Sequence, residues 1–182
     1  MKIERLSVEY VMPEGIEFTM GDKSLIKLKG KNGEVERSFF HPRINIEIKD
    51  GKIEFYALKA TKREKTQIHT FRAHFKNLCK GVTEGHEYKL KICSGHFPMN
   101  VTLKNNLLSV KNFLGEKVPR DLKIKTGADV KLEGDFIIIK STNKELAGTI
   151  AGDIEKLCRI TNRDRRIFQD GIYIIMKDGK GM

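Results

Sequence analysis

Residues 44–58 read Ile44-Asn45-Ile46-Glu47-Ile48-Lys49-Asp50-Gly51-Lys52-Ile53-Glu54-Phe55-Tyr56-Ala57-Leu58. Ile44, Ile46 and Ile48 alternate with Asn45 and Glu47, which sets three apolar side chains on one face of a strand. Asp50-Gly51 then supplies a tight turn, and Lys52 to Leu58 returns as a second strand. A helix is predicted directly after it. Thr61 and Glu64 have the spacing of a capping box. Ile68, Phe71, Phe75 and Leu78 recur at steps of three and four, and Gly81 is placed to stop the helix.

The same order of features occurs again downstream. Val130 and Leu132 lead into a turn at Glu133-Gly134-Asp135, and Phe136 to Lys140 forms the return strand. Thr142 with Glu145 gives a matching capping box. Leu146, Ile150, Ile154 and Leu157 form the apolar stripe. Asn77-Leu78-Cys79-Lys80 near the end of the first helix matches Lys156-Leu157-Cys158-Arg159 near the end of the second, and Asn32-Gly33-Glu34 matches Leu114-Gly115-Glu116. The fold class expected is α+β: two tandem similar domains from an internal duplication, each an antiparallel sheet packed against one helix. The join is placed in the glycine-bearing stretch Gly81–Gly85, giving domains 1–81 and 82–182.

Composition bounds what such a chain can do. It has 182 residues, and its apolar fraction of 39% supports one or two modest cores. The longest apolar run, Ile172 to Met176, is far short of the roughly twenty residues of a membrane helix. A soluble, cytoplasmic protein with no membrane partner is expected. Three cysteines, Cys79, Cys93 and Cys158, do not make a disulfide scaffold and are read as reduced thiols. The net charge is +11, and such an excess attracts polyanions. Residues 1–80 carry 17 Lys/Arg against 11 Asp/Glu and the rest carry 18 against 13. The charge therefore belongs to folded surfaces and not to a detachable tail.

Enzymatic patterns are absent. His69 and His74 are five apart, where metal ligands on one helical face are three or four apart. Cys93 and His96 lack a second close pair to complete a zinc site. No G-x-S-x-G elbow, P-loop or dinucleotide fingerprint occurs. No catalytic residue, metal, cofactor or small-molecule substrate is expected.

Two basic clusters stand out. Lys59, Lys62, Arg63 and Lys65 surround the start of the first helix, where positive charge opposes the helix dipole; this cluster is read as a solvated helix end. Lys156, Arg159, Arg163, Arg165 and Arg166 lie within eleven residues against one acid, Asp164. Arginine presents a planar fork suited to phosphate and to stacking on bases. Phe168, Gln169, the pair Asp170-Gly171 and Tyr173 follow, and an arginine loop leaving a helix for a strand is suited to follow an RNA backbone.

Arg166-Ile167-Phe168-Gln169-Asp170-Gly171-Ile172-Tyr173 resembles the C-terminal signature of the universal large-subunit ribosomal protein L-six family. Asn77-Leu78-Cys79-Lys80-Gly81-Val82-Thr83-Glu84-Gly85 resembles the central junction of that family, and Ser94-Gly95-His96-Phe97-Pro98 is similar to its archaeal and eukaryotic branch. The resemblance covers nearly the whole chain and implies a non-enzymatic structural role in the cytoplasmic large ribosomal subunit. It implies binding of large-subunit ribosomal RNA through the second domain, near the factor-binding region at the stalk base, beside other large-subunit proteins. Carried onto this sequence, the contacts implied are Arg159, Arg163, Arg165, Arg166 and Gln169, with Asp170-Gly171 as turn and Phe168 and Tyr173 as anchors. Lys177 and Lys180 are added on charge alone. The alternatives are an RNA-processing enzyme that uses the same basic surface for its substrate, and a protein-binding module in which the repeat buries one domain against another. Whether the first domain touches RNA is left open.

Overall fold

The computed structural model describes residues 3–49 and 51–181. The chain divides into two compact units, Met1–Gly85 and His86–Met182.

In the first unit, β1 (Ile3–Val11), β6 (Lys52–Ala60) and β5 (Asn45–Lys49) form an antiparallel sheet in the order β1-β6-β5. Gly51 reverses the chain between β5 and β6 at φ +73; Asp50, the other half of the expected turn, lies outside the described residues. Ile53, Phe55 and Ala57 alternate inward along β6 and are fully buried, as the period of two requires. The helix α1 (Lys62–Thr83) covers them with Ile68, Phe71, Phe75 and Leu78. Phe39 joins Phe55, Phe71 and Phe75 in an aromatic cluster with centroids 5.4–6.4 Å apart, edge-to-face except for the tilted Phe39–Phe55 pair. A second sheet, β2 (Glu17–Gly21), β3 (Leu25–Gly30) and β4 (Gly33–Ser38), adds Ile26, Leu28 and Val35 to the same core.

Thr61 and Glu64 form the expected capping box. The far end of α1 differs from expectation, because the helix continues through Gly81 to Thr83. Gly81 is a buried helical residue, and the left-handed turn falls at Gly85, φ +81. There the Gly85 amide reaches back to the Lys80 carbonyl at 3.1 Å. Asn32, at the β3–β4 turn, donates its amide to Val82 O at 3.1 Å and its side chain to Thr83 O at 2.9 Å. The last carbonyls are thus satisfied from the β3–β4 turn, which lets the helix run past the first glycine. The unit boundary falls after Gly85, at the far end of the Gly81–Gly85 stretch.

The second unit repeats this strand for strand. β7 (His86–Cys93), β12 (Phe136–Ser141) and β11 (Asp129–Glu133) match β1, β6 and β5 in order and pairing. β8 (Asn100–Lys104), β9 (Leu107–Lys111) and β10 (Arg120–Lys123) match the second sheet, and α2 (Lys144–Leu157) matches α1. The fold is α+β with an internal duplication. Each unit holds two sheets, the three-stranded second one being unforeseen from the sequence. Asn32-Gly33-Glu34 runs from the β3–β4 turn into the start of β4, whereas Leu114-Gly115-Glu116 lies wholly in the longer β9–β10 connection.

One cap departs from expectation. The N-cap of α2 is Asn143 and not Thr142: its Oδ1 accepts from the Glu145 amide at 2.9 Å and the Leu146 amide at 3.4 Å. Ser141 Oγ accepts from the Asn143 amide, which removes the need for Glu145 to fold back.

The second unit has two strands with no counterpart in the first. β13 (Gly171–Lys177) pairs antiparallel with the free side of β7, and β14 (Lys180–Gly181) pairs with β13. Between α2 and β13 runs the arginine segment.

Candidate nucleic-acid interface

The segment begins where α2 ends at Cys158. Arg120, on β10, fixes this exit by donating Nη1 to Leu157 O at 2.7 Å. Its fork grips Glu116 through Nε–Oε2 at 2.8 Å and Nη2–Oε1 at 2.6 Å, and its guanidinium lies 4.3 Å above the Phe113 ring. The bond from Arg120 holds Glu116 below the usual carboxylate range. Cys158 is buried beside it, and desolvation pushes its thiol up to about 11. It is a packing residue, as is Cys79, whose burial pushes it to about 12.

Ile160 is buried and returns the chain to the core. The reversal comes at Asp164–Ile167, earlier than the Asp170-Gly171 turn that the sequence suggests. Asp164 O accepts the Ile167 and Phe168 amides at 3.1 and 2.9 Å, while Asp164 Oδ1 accepts the Arg166 amide at 2.9 Å. Asp164 also takes the Arg166 guanidinium, Nη2 to Oδ2 at 2.7 Å, and this bond lowers its pKa. Both side chains are in water, so the pair is weak and exchangeable.

Arg159, Arg163 and Arg165 are all exposed. The Arg163 guanidinium lies 4.9 Å over the Phe168 ring, and Phe168 stacks on His96 at 4.7 Å and 29°. His96 in turn bonds Asp170 Oδ2 through Nδ1 at 2.6 Å. Asp170 is buried, and its Oδ1 accepts the Gly95 and His96 amides at 2.6 and 2.9 Å. Burial raises this carboxyl, but the bonds from the His96 amide, the His96 ring and the Gly95 amide outweigh it, and it titrates below the ordinary range. The ladder Arg163–Phe168–His96–Asp170 therefore ties the arginine segment to the β7–β8 connection.

Asp170 and Gly171 enter β13 extended, Gly171 pairing with Cys93. A Cβ on Gly171 would lie 3.1 Å from the Tyr173 ring, so glycine here makes room for the tyrosine. Phe168 is half-buried against the core. Tyr173 is 40% exposed and Ile167 is 64% exposed. The alternation of β13 explains this: Ile172 takes the inward position and is buried, so Tyr173 faces out and donates its hydroxyl to Asp170 O at 3.3 Å.

Arg159 and Arg165 line one cleft of about 270 Å³ with Glu155, Lys156, Cys158, Ile160 and Tyr173. Gln169 is exposed, its amide donating to Arg166 O at 3.4 Å. Lys177 and Lys180 are exposed as well. They pair with each other at the opposite end of β13, about 20 Å along the strand from Gly171, and do not join the arginine cluster. Arg120 and His96 belong to the site yet carry no local sequence signal for it, because their partners lie 37 and 74 residues away.

Among the described residues no group of three or more His, Cys, Asp or Glu side chains could hold a metal ion. No described helix is long and apolar enough to cross a membrane. The arrangement presents exposed guanidinium forks, a tyrosine whose hydroxyl is bonded to Asp170 O, and a cation–π stack.

Comparison with known proteins agrees with the duplication. The model of the family described as Ribosomal protein L6 matches residues 12–85 and 97–171, one match in each unit. A relative from Methanosarcina mazei, named Large ribosomal subunit protein uL6, is 42% identical over 166 residues, covering 91% of this chain and 94% of its own. A protein of the same name from Nanoarchaeum equitans is 40% identical over 190 residues, covering 100% and 98%. With both repeats matched and relatives aligned nearly end to end, the chain belongs to the ribosomal protein L6 family.

Proposed function

We propose that this chain is a structural, non-enzymatic constituent of the large ribosomal subunit in the cytoplasm, where it binds large-subunit ribosomal RNA through its second unit. The observation that carries the reading is the ladder from Arg163 to the buried Asp170. A loop meant only for solvent has no use for a buried carboxylate with three donors, whereas a loop that must present forks to a polyanion gains by being held in advance. Arg159, Arg163 and Arg165 are the phosphate-binding forks. Arg166 joins them by exchanging Asp164 for phosphate, and Gln169 adds a neutral donor. Lys177 and Lys180 form a separate and weaker contact at the far end of β13.

Phosphate contacts supply affinity, and shape supplies selectivity. The placement near the factor-binding region at the stalk base, beside other large-subunit proteins, rests on the family resemblance of the C-terminal signature. With four phosphates neutralised, log affinity falls against log salt with a slope of roughly −3. Arg163→Ala, Arg165→Ala and Arg166→Ala together should flatten that slope while each unit still melts cooperatively. An unchanged slope refutes the assignment. Co-sedimentation with large subunits, lost after nuclease digestion, separates RNA binding from docking on protein.

A further inference from the structure

We infer that the outer face of α1 is a second RNA site, which takes the phosphodiester backbone independently of the arginine segment. The duplication provides the internal control. α1 and α2 occupy equivalent places in their units, yet α1 carries six Lys/Arg against one acid and α2 carries two against three. The same scaffold is thus built with either sign of charge, and the cationic face of α1 is not a requirement of the fold.

The one acid of α1 is withdrawn from that face. Glu64 is buried, accepts the Thr61 amide at 2.9 Å and the Thr61 hydroxyl, and meets Arg43 Nη1 at 3.3 Å. What faces out is Lys65, His69, Arg72 and Lys76 at steps of four, three and four, all exposed. Beside this row runs a shallow groove of about 880 Å³, lined by Lys62, Lys65, Thr66, His69, Thr70, Ala73, His74 and Asn77, with no acid among them. Thr66, Thr70 and Ala73 are small among the lining residues, so a backbone can approach closely there. The Thr66 and Thr70 hydroxyls donate to Lys62 O and Thr66 O respectively and keep lone pairs for a ribose 2′-hydroxyl.

From Lys62 to Lys76 the face extends about 21 Å, enough to follow several nucleotides. Lys62 and Arg63 also sit against the positive end of the helix dipole, an arrangement that a phosphate relieves. Charge complementarity therefore selects RNA as the occupant over an apolar or basic partner.

The test uses the full chain in isolated large subunits and does not depend on the arginine reading. Lysine acetylation is mapped by mass spectrometry in the free protein, in the intact subunit, and after nuclease digestion. Lys62 and Lys65 should be protected in the subunit and regain reactivity once the RNA is digested. Equal reactivity in the free and assembled protein overturns the inference. Protection that survives nuclease overturns it too, by making the occupant a protein. In direct binding to large-subunit ribosomal RNA, Lys62→Gln with Lys65→Gln should reduce the log–log salt slope by about 1.5, additively with the arginine variants. If the arginine variants change nothing while the lysines are protected, the first reading fails and this one stands.

Discussion

The Asp170 carboxylate holds the His96 ring at 2.6 Å while accepting the amide of the same histidine at 2.9 Å. A buried acid at the start of β13 thus grips both the side chain and the backbone of a loop 74 residues earlier. Asp170→Ala would leave the Gly95 and His96 amides without an acceptor and should cost about 3 kcal/mol of stability in the second unit. Hydrogen exchange at these two amides should accelerate along with it. Full protection of both in the variant would contradict the geometry.

The same carboxyl gives a pH signature. Its folded pKa is depressed, so its stabilisation is fully present above the unfolded value of about 3.9 and is lost as pH falls through the folded value. Amide protection at Gly95 and His96 should therefore hold at pH 5 and fail only in stronger acid. Glu64 predicts a parallel limb in the first unit: its carboxyl lies at about 2, held there first by the Thr61 hydroxyl and then by the Thr61 amide. Glu64→Gln should remove the acid dependence of exchange in the first turn of α1 between pH about 4.5 and 2. Wild-type exchange that does not vary over that range would reject this assignment.

Arg120 joins Glu116, Phe113 and the Leu157 carbonyl. Arg120→Ala should destabilise the second unit by about 2 kcal/mol, since it frees a helix-terminal carbonyl and an acid at once. Arg120→Lys should recover little, because an ammonium cannot serve the carboxylate fork and the carbonyl together. Denaturant midpoints of the three proteins decide it, and a lysine variant at wild-type stability would remove the role given to the fork.

These contacts mark the boundary of what the sequence discloses. The β5–β6 hairpin, the Thr61 cap and the stripe Ile68–Leu78 were readable because each is written in residues two to four apart. The second sheet was not, because its strands are short and Leu114-Gly115-Glu116 shows only the connection between two of them. Gly81 and Gly85 look alike as helix stops, and the choice falls to Asn32, whose bonds to Val82 and Thr83 let the helix pass the first glycine. Thr142 and Asn143 are both good caps, and Ser141 decides between them by taking the Asn143 amide. In the site, composition identified the arginines. The ladder that positions Arg163 joins residues far apart in the chain, and periodicity carries no information about such pairs.

Phe168 separates positioning from charge. Its ring lies between the Arg163 guanidinium and His96, at 4.9 and 4.7 Å, and it touches the core without bearing a charge of its own. Phe168→Leu keeps the apolar anchor but removes the stacking face, at a stability cost of about 1 kcal/mol. RNA affinity should fall at every salt concentration, because Arg163 loses its fixed direction, yet the slope of log affinity against log salt should stay as it was. Arg163→Ala should instead lower that slope by about 0.8, one phosphate contact. Binding isotherms at four or five salt concentrations distinguish the two patterns. If Phe168→Leu lowers the slope as Arg163→Ala does, the contact made by Arg163 is lost outright without the ring beneath it. If it changes neither affinity nor slope, the arginine needs no ring beneath it, and the ladder ends at His96.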